Sequence, residues 1–296
     1  MTRSTVASAV QDQSCVVFVD EENLRRVGDL HRRAPIVAVL DMPLPKAVAY
    51  LERYPWLEHV ISANSFDGPN PTYLLALVCR IATGGAMDLA TLSAATVVGR
   101  EAKLVRARQR AQRLERLGEF LNGHGFGGRS AVTAVDLAEE MLSNAFYDAP
   151  ADAGIVSRPV SRLHDIVLPV PCEIAYGVKE GTALVRVRDH FGSLQRRRMV
   201  EVLRRCARED MGVRPDDSRG GAGLGLWRIF STSSFVSLAV HAGRLTEVIV
   251  GIHRRTPRGA SGYRPYAFHL HFNGSDAPSS FLDDGLDADV SITLVG

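Results

Sequence analysis

The sequence predicts two parts: an α/β N-terminal domain with a small parallel sheet, and an α+β sandwich C-terminal domain. Three observations predict this. Before residue 85, apolar runs of four or five residues alternate with helical stretches, the pattern of parallel βα units. Between 86 and 129 the chain reads as helical and closes in the glycine-rich joint Gly123-His124-Gly125-Phe126-Gly127-Gly128. From 130 the order becomes helix, strands, helix, strands, which suits a mixed sheet with helices on one face.

Taken in order, residues 1–14 are polar and read as a loose N-terminus. Val16-Val17-Phe18-Val19 reads as a buried strand ending at Asp20, and Glu21 to Arg33 as helical. Ile36 to Leu40 is a second strand, Ala47 to Leu51 opens a short helix, and His59 to Ser62 is a third strand. Thr72 to Thr83 places Leu74, Leu75, Val78 and Ile81 on one helical face, completing a unit over 15–85. In the linker 86–129, Leu104, Ala107, Ala111, Leu114, Leu117 and Leu121 recur every three or four residues, with arginines at 106, 108, 110, 113 and 116 between them. A homodimer seam along a 98–121 helix is one reading of that stripe; an amphipathic helix with a solvated basic face is the other. In 130–255, Val132 to Phe146 reads as helix, and 166–168, 173–176 and 184–187 as successive antiparallel strands. Arg197 to Arg208 and Leu224 to Ser233 are helices, and Val236 to His241 with Thr246 to His253 form a hairpin around Gly243. The extension 256–296 closes with a strand over 290–295.

Composition narrows the function classes. At 296 residues, 46% hydrophobic and 23% charged, the chain has ordinary globular composition. A net charge of +2 gives no strong pull toward nucleic acid or a membrane surface. Cys15, Cys79, Cys172 and Cys206 are scattered without a C-x-x-C pair, which fits a reducing cytoplasm better than a zinc or disulfide framework. No apolar run approaches the roughly 20 residues that span a bilayer, and the first residues carry no signal-peptide pattern. The expectation is a cytoplasmic protein.

Three segments carry chemistry. Glu140 and Asn144 are one helical turn apart, so a helix presents them on one face. There an amide can hold magnesium or phosphate oxygens, and a carboxylate can accept a proton from an attacking hydroxyl; an exposed polar pair on an ordinary helix is the plainer reading. Asp189 ends an apolar strand and precedes Gly192. A strand-end carboxylate beside an apolar slot can accept the amine hydrogen bond of adenine, and an aspartate capping a turn looks the same in sequence. Gly221, Gly223 and Gly225, with Leu224 and Leu226, lead into a helix whose first amides would attract phosphate. The spacing fits neither the Walker loop nor the dinucleotide fingerprint. The polar stretch 214–219 ahead of it reads as a lid.

Taken together, residues of about 130 to 255 resemble the Bergerat-fold ATP-binding domain shared by histidine kinases, gyrase and MutL, and above all the anti-sigma-factor serine kinases. Glu140 and Asn144 match the family's N box, Asp189 and Gly192 its first glycine box, and Gly221-x-Gly223-x-Gly225-Leu226 its second. The resemblance implies ATP and Mg2+ as cofactors. Asn144 would hold the metal, Asp189 the adenine and the glycines the phosphates; Asp148 would face the phosphates and Glu140 would serve as base. It implies a signalling protein partner, phosphorylated on serine or threonine in an enzyme and only bound in an inactive adaptor. The first box departs from the family pattern: Phe191 and Ser193 stand where it has glycine. Residues 15–85 resemble, more weakly, a truncated response-regulator receiver with Asp20 at the phosphoacceptor place and no room for the upstream acidic pair. Asn273-Gly274-Ser275 reads as a turn, and His269 and His271 as one face of a half-exposed strand without a third metal ligand.

Overall fold

The computed structural model describes residues 15–63, 79–82, 97–156, 162–210, 223–254, 263–274 and 291–295. The protein is a mixed α/β chain. The strands are β1 (Cys15–Asp20), β2 (Ile36–Leu40), β3 (His59–Ser62), β4 (Val97–Arg106), β5 (Val167–Lys179), β6 (Thr182–Asp189), β7 (Phe235–His241), β8 (Leu245–His253), β9 (Ala267–Asn273) and β10 (Ser291–Val295). All join one ten-stranded sheet in the order β10-β1-β2-β3-β9-β7-β8-β6-β5-β4.

Strands from both expected parts therefore share one sheet. β1, β2 and β3 run parallel, as predicted, and β10, from the C-terminal extension, adds a further parallel strand beside β1. The join is β9, which pairs antiparallel with β3 and parallel with β7. The extension beyond 255 thus supplies the strand between the two halves and an outer strand beside β1. A second tie lies in the helical layer. Arg196, at the start of α6 (Arg196–Asp210), is buried and donates from Nη2 to the carbonyls of Leu51 and Leu57, 3.3 and 3.1 Å away. These groups flank the end of α2 (Leu44–Arg53), and Arg204 pairs with Glu52.

The alternation of each strand explains the layering. Val17, Val19, Ala38, Leu40, Val185, Val187, Val236, Leu238, Val250, Phe268 and Leu270 point to the helical side and join one large core with Leu117, Leu121, Leu137, Met141 and Leu203. Helix α3 (Gln109–Gly123) spends Leu117 and Leu121 in that core against α4 (Arg129–Ser143). The 98–121 helix is corrected in one respect. Residues 97–106 are a strand; beyond them Ala107, Leu117 and Leu121 are buried in the core, Leu114 packs partly against it and Ala111 is exposed. The expected strands at 166–168 and 173–176 are likewise one continuous strand, β5. His269 is buried, 3% exposed, with its Nδ1 3.2 Å from that of His59 across the β3–β9 seam, so the half-exposed reading of that strand is also corrected. The short helices are α1 (Glu21–Leu24), α5 (Ala149–Asp152) and α7 (Leu224–Thr232).

Candidate functional site

Helix α4 forms because Ala131, Ala134, Leu137, Ala138, Met141 and Leu142 repeat at helical spacing and are buried on the sheet. It does not end cleanly. Asn144–Asp148 form a π-turn in which the amide of Ala149 bonds the carbonyl of Asn144. Such turns in otherwise regular helices often mark functional positions. Asn144 is half-buried, and its side chain has no hydrogen-bond partner among the described residues. Glu140, one turn earlier, is committed: its Oε1 accepts from Arg228 Nη1 on α7 at 2.7 Å. Asp148 faces Arg162 at 3.8 Å.

Asp189 ends β6 on the helical side of the sheet and is buried, 7% exposed. Its Oδ1 accepts from the amide of Phe191 at 2.9 Å, so it does cap its turn. Burial raises its pKa to about 6, an effect that the amides of Phe191 and Gly192 and the nearby Thr246 hydroxyl partly offset. Thr246 stands directly opposite Asp189 in the β6–β8 register. Its Oγ1 is buried, yet completes no hydrogen bond of normal geometry with any described residue. A buried hydroxyl without a partner costs free energy and calls for a cause. Sequence reading missed Thr246; what identifies it is the strand register, which sets it beside the aspartate.

The loop after Asp189 is tightly built. Phe191 is buried in the main core. Gly192 has φ +56, and a Cβ there would run into the carbonyl oxygen of His241 and lie 2.7 Å from the amide nitrogen of Arg244. Its own carbonyl accepts from Gly243 N at 3.1 Å. The conformation and the close approach both require glycine, and the backbone approached is the β7–β8 turn. Ser193 Oγ donates to the carbonyl of Ala149 at 3.0 Å, tying this loop to the end of the π-turn.

At the entrance of α7, Gly223 has φ +113, and its carbonyl accepts the first helical bond from Trp227 N at 3.0 Å. A Cβ on Gly223 would meet Val202 Cγ1 at 2.6 Å and Arg205 Nη2 at 3.0 Å, both on α6. A Cβ on Gly225 would meet Glu140 Oε2 at 2.5 Å. The second glycine segment therefore seats directly on the helix carrying Glu140 and Asn144. Leu224 is 46% exposed, whereas Leu226 packs partly against the core. Gly221 and the 214–219 segment lie outside the described residues, as do residues 72–78 of the helix expected at 72–83.

A cleft of about 570 Å³ is lined by the Phe191–Ser193 loop together with Asp152, Val170, His190, Ala242 and Asn273. Among the described residues no group of three or more histidine, cysteine, aspartate or glutamate side chains is placed to hold a metal ion. No described helix is long and apolar enough to cross a membrane.

Asp189 and Thr246 offer an acceptor and a hydroxyl side by side, and Asn144 offers an amide without a hydrogen-bond partner among the described residues. Glu140 is occupied by Arg228. No protein-family model matches the chain, and no curated protein matches it. Among solved structures, a chain of the SiaB-SiaC complex from Pseudomonas aeruginosa is similar over 53% of this chain and 90% of its own, at 15% identity and a TM-score of 0.38.

Proposed function

We propose that this protein is a signalling component that binds an adenine nucleotide with Mg2+ between β6, β8, α4 and α7, and that it acts on a protein partner. The observation that carries the reading is the buried pair Asp189 and Thr246. Adenine presents an exocyclic amine beside a ring nitrogen, a donor next to an acceptor. The second oxygen of Asp189 would accept from the former, and the Thr246 hydroxyl, which completes no hydrogen bond of normal geometry, would donate to the latter. Asn144 would hold the metal that accompanies the phosphates, which the glycine entrance of α7 would receive. When bound, the metal would neutralise phosphate charge. The reading extends to binding and not to group transfer, because Glu140 is ion-paired with Arg228.

Calorimetric titration of ATP with Mg2+ tests it. Thr246→Val should weaken binding roughly fivefold, the worth of about 1 kcal/mol for one hydrogen bond. Asn144→Ala should weaken only the magnesium-dependent part. Absence of binding to the unaltered protein ends the reading.

A second reading has its own observation. Phe191 sits in the core and Gly192 is sealed on the hairpin, so the first loop has none of the open backbone that the family pattern provides. On this reading the protein is an adaptor that keeps the fold for protein contacts alone. Partner capture would then be unchanged in both variants.

A further inference from the structure

The π-turn that presents Asn144 is clamped from one side by a half-buried cation. Arg110, near the start of α3, is 13% exposed at its side chain. Its Nη1 donates to Glu139 Oε1 at 2.7 Å and to Ser143 Oγ at 2.6 Å. Its Nη2 donates to the Tyr147 hydroxyl at 3.2 Å, and its Nε to the carbonyl of Ala107 at 3.0 Å. The guanidinium carbon also lies 5.0 Å from the centre of the Tyr147 ring. Ser143 Oγ in turn donates to Glu139 at 3.1 Å. The Tyr147 hydroxyl has the carbonyls of Arg162 and His164 within 2.9 and 3.0 Å. Residues 139, 143 and 147 are successive steps along one side of the helix; Glu140, with Asn144 four residues on, starts the adjoining side, where Glu140 meets α7.

The π-turn inserts one extra residue into this helix between Ser143 and Asp148, which rotates the turn beyond the insertion relative to the turns before it. Arg110 grips both sides of that insertion: Glu139 and Ser143 before it, Tyr147 within it. A planar guanidinium can hold three acceptors and a ring face at fixed angles, which a point-like ammonium cannot. We propose that Arg110 is a positioning residue: by locking the π-turn it sets the direction of the Asn144 amide toward the metal that accompanies the nucleotide. This rests on the nucleotide reading above, and it adds a residue from outside all three sequence segments.

The test uses the full chain with Arg110→Met and Arg110→Lys, titrated with ATP in Mg2+ and with ATP in chelator. Arg110→Met should lose about tenfold in the magnesium-dependent gain in affinity, the usual consequence of removing a partner behind a metal ligand. Its affinity for metal-free ATP should stay within roughly twofold of wild type. Arg110→Lys, which keeps the charge near Glu139 but not the fork to Tyr147, should recover only part of the gain. Equal losses with and without magnesium would make Arg110 a purely structural residue and overturn the proposal. Amide exchange at Ala145 to Ala149 without nucleotide supplies an independent arm: it should speed up in Arg110→Met, and unchanged exchange also overturns the proposal. If the unaltered protein binds no ATP, the nucleotide reading fails, and the exchange arm alone still decides whether Arg110 holds the turn.

Discussion

The two glycine segments face the same helical layer, but their glycines are needed for different reasons. At Gly192 the space of a missing side chain is filled by backbone, the turn between β7 and β8. At Gly223 and Gly225 it is filled by side chains: Val202 and Arg205 from α6, and the carboxylate end of Glu140 from α4. Backbone in a hairpin cannot retreat without breaking its ladder, whereas the end of a glutamate can swing aside. The first loop is therefore a fixed wall and the second a wall with give. On the proposed nucleotide reading, the second would receive the phosphate oxygens, and Asp189 and Thr246 behind the first would meet the base.

This contrast orders the expected effects. Gly192→Ala should be the most damaging, since a left-handed alanine costs about 1–2 kcal/mol and the clash with backbone adds to it. A loss of about 3 kcal/mol or more in denaturant unfolding is expected, and an effect below about 1 kcal/mol would show that the hairpin can yield. Next comes the pH response of Asp189. Its folded pKa is raised to about 6 from 3.8, so it stabilises most when protonated. That contribution is complete below about pH 4 and is lost as pH rises through about 6. Melting profiles of wild type and Asp189→Asn should diverge across that window, and parallel profiles would contradict the burial of the carboxyl. Gly225→Ala should be milder, about 1 kcal/mol, because Glu140 can move and surrender its Arg228 contact. Thr246→Val should change stability least, within about 0.5 kcal/mol, since its hydroxyl completes no hydrogen bond of normal geometry and only eases the charge on Asp189. A clear destabilisation there would mean that the hydroxyl is engaged in the free protein.

Much of the fold was legible because the apolar runs at 16–19 and 36–40, and the mainly apolar β-branched stretches at 184–187 and 236–240, have few alternative uses. What was missed has identifiable causes. β4 hides among charges because Glu101 and Lys103 face away from the core, pairing with Arg186 at 3.0 Å and Glu173 at 3.7 Å, while Leu104 fits a helical period equally well. β5 was divided because Pro169 and Pro171 argue against a strand interior. They are tolerated because residues 167–172 pair only with β4, whereas the β6 pairing begins at Glu173. In the site, Asn144 and the α7 entrance stood out by local spacing. Thr246 did not, because its relation to Asp189 exists only through the register of β6 and β8. Glu140 was visible as a carboxylate, but its commitment to Arg228 joins residues 88 positions apart.

The buried charges on the opposite sheet face obey the same logic of register. Arg188 bridges Glu173 at 3.3 Å and Glu247 at 2.6 Å on its two neighbouring strands. Such pairs specify which strands lie side by side more than they add stability, because desolvation offsets most of the attraction.

The placement of β9 bears on how this protein can be handled. A fragment trimmed to 130–255 would lack β9 on one side and β4 on the other, leaving β7 and β5 each with an open row of amides and carbonyls. Bare strand borders recruit foreign strands. Such a piece should self-associate, and its clumping would say nothing about the intact chain.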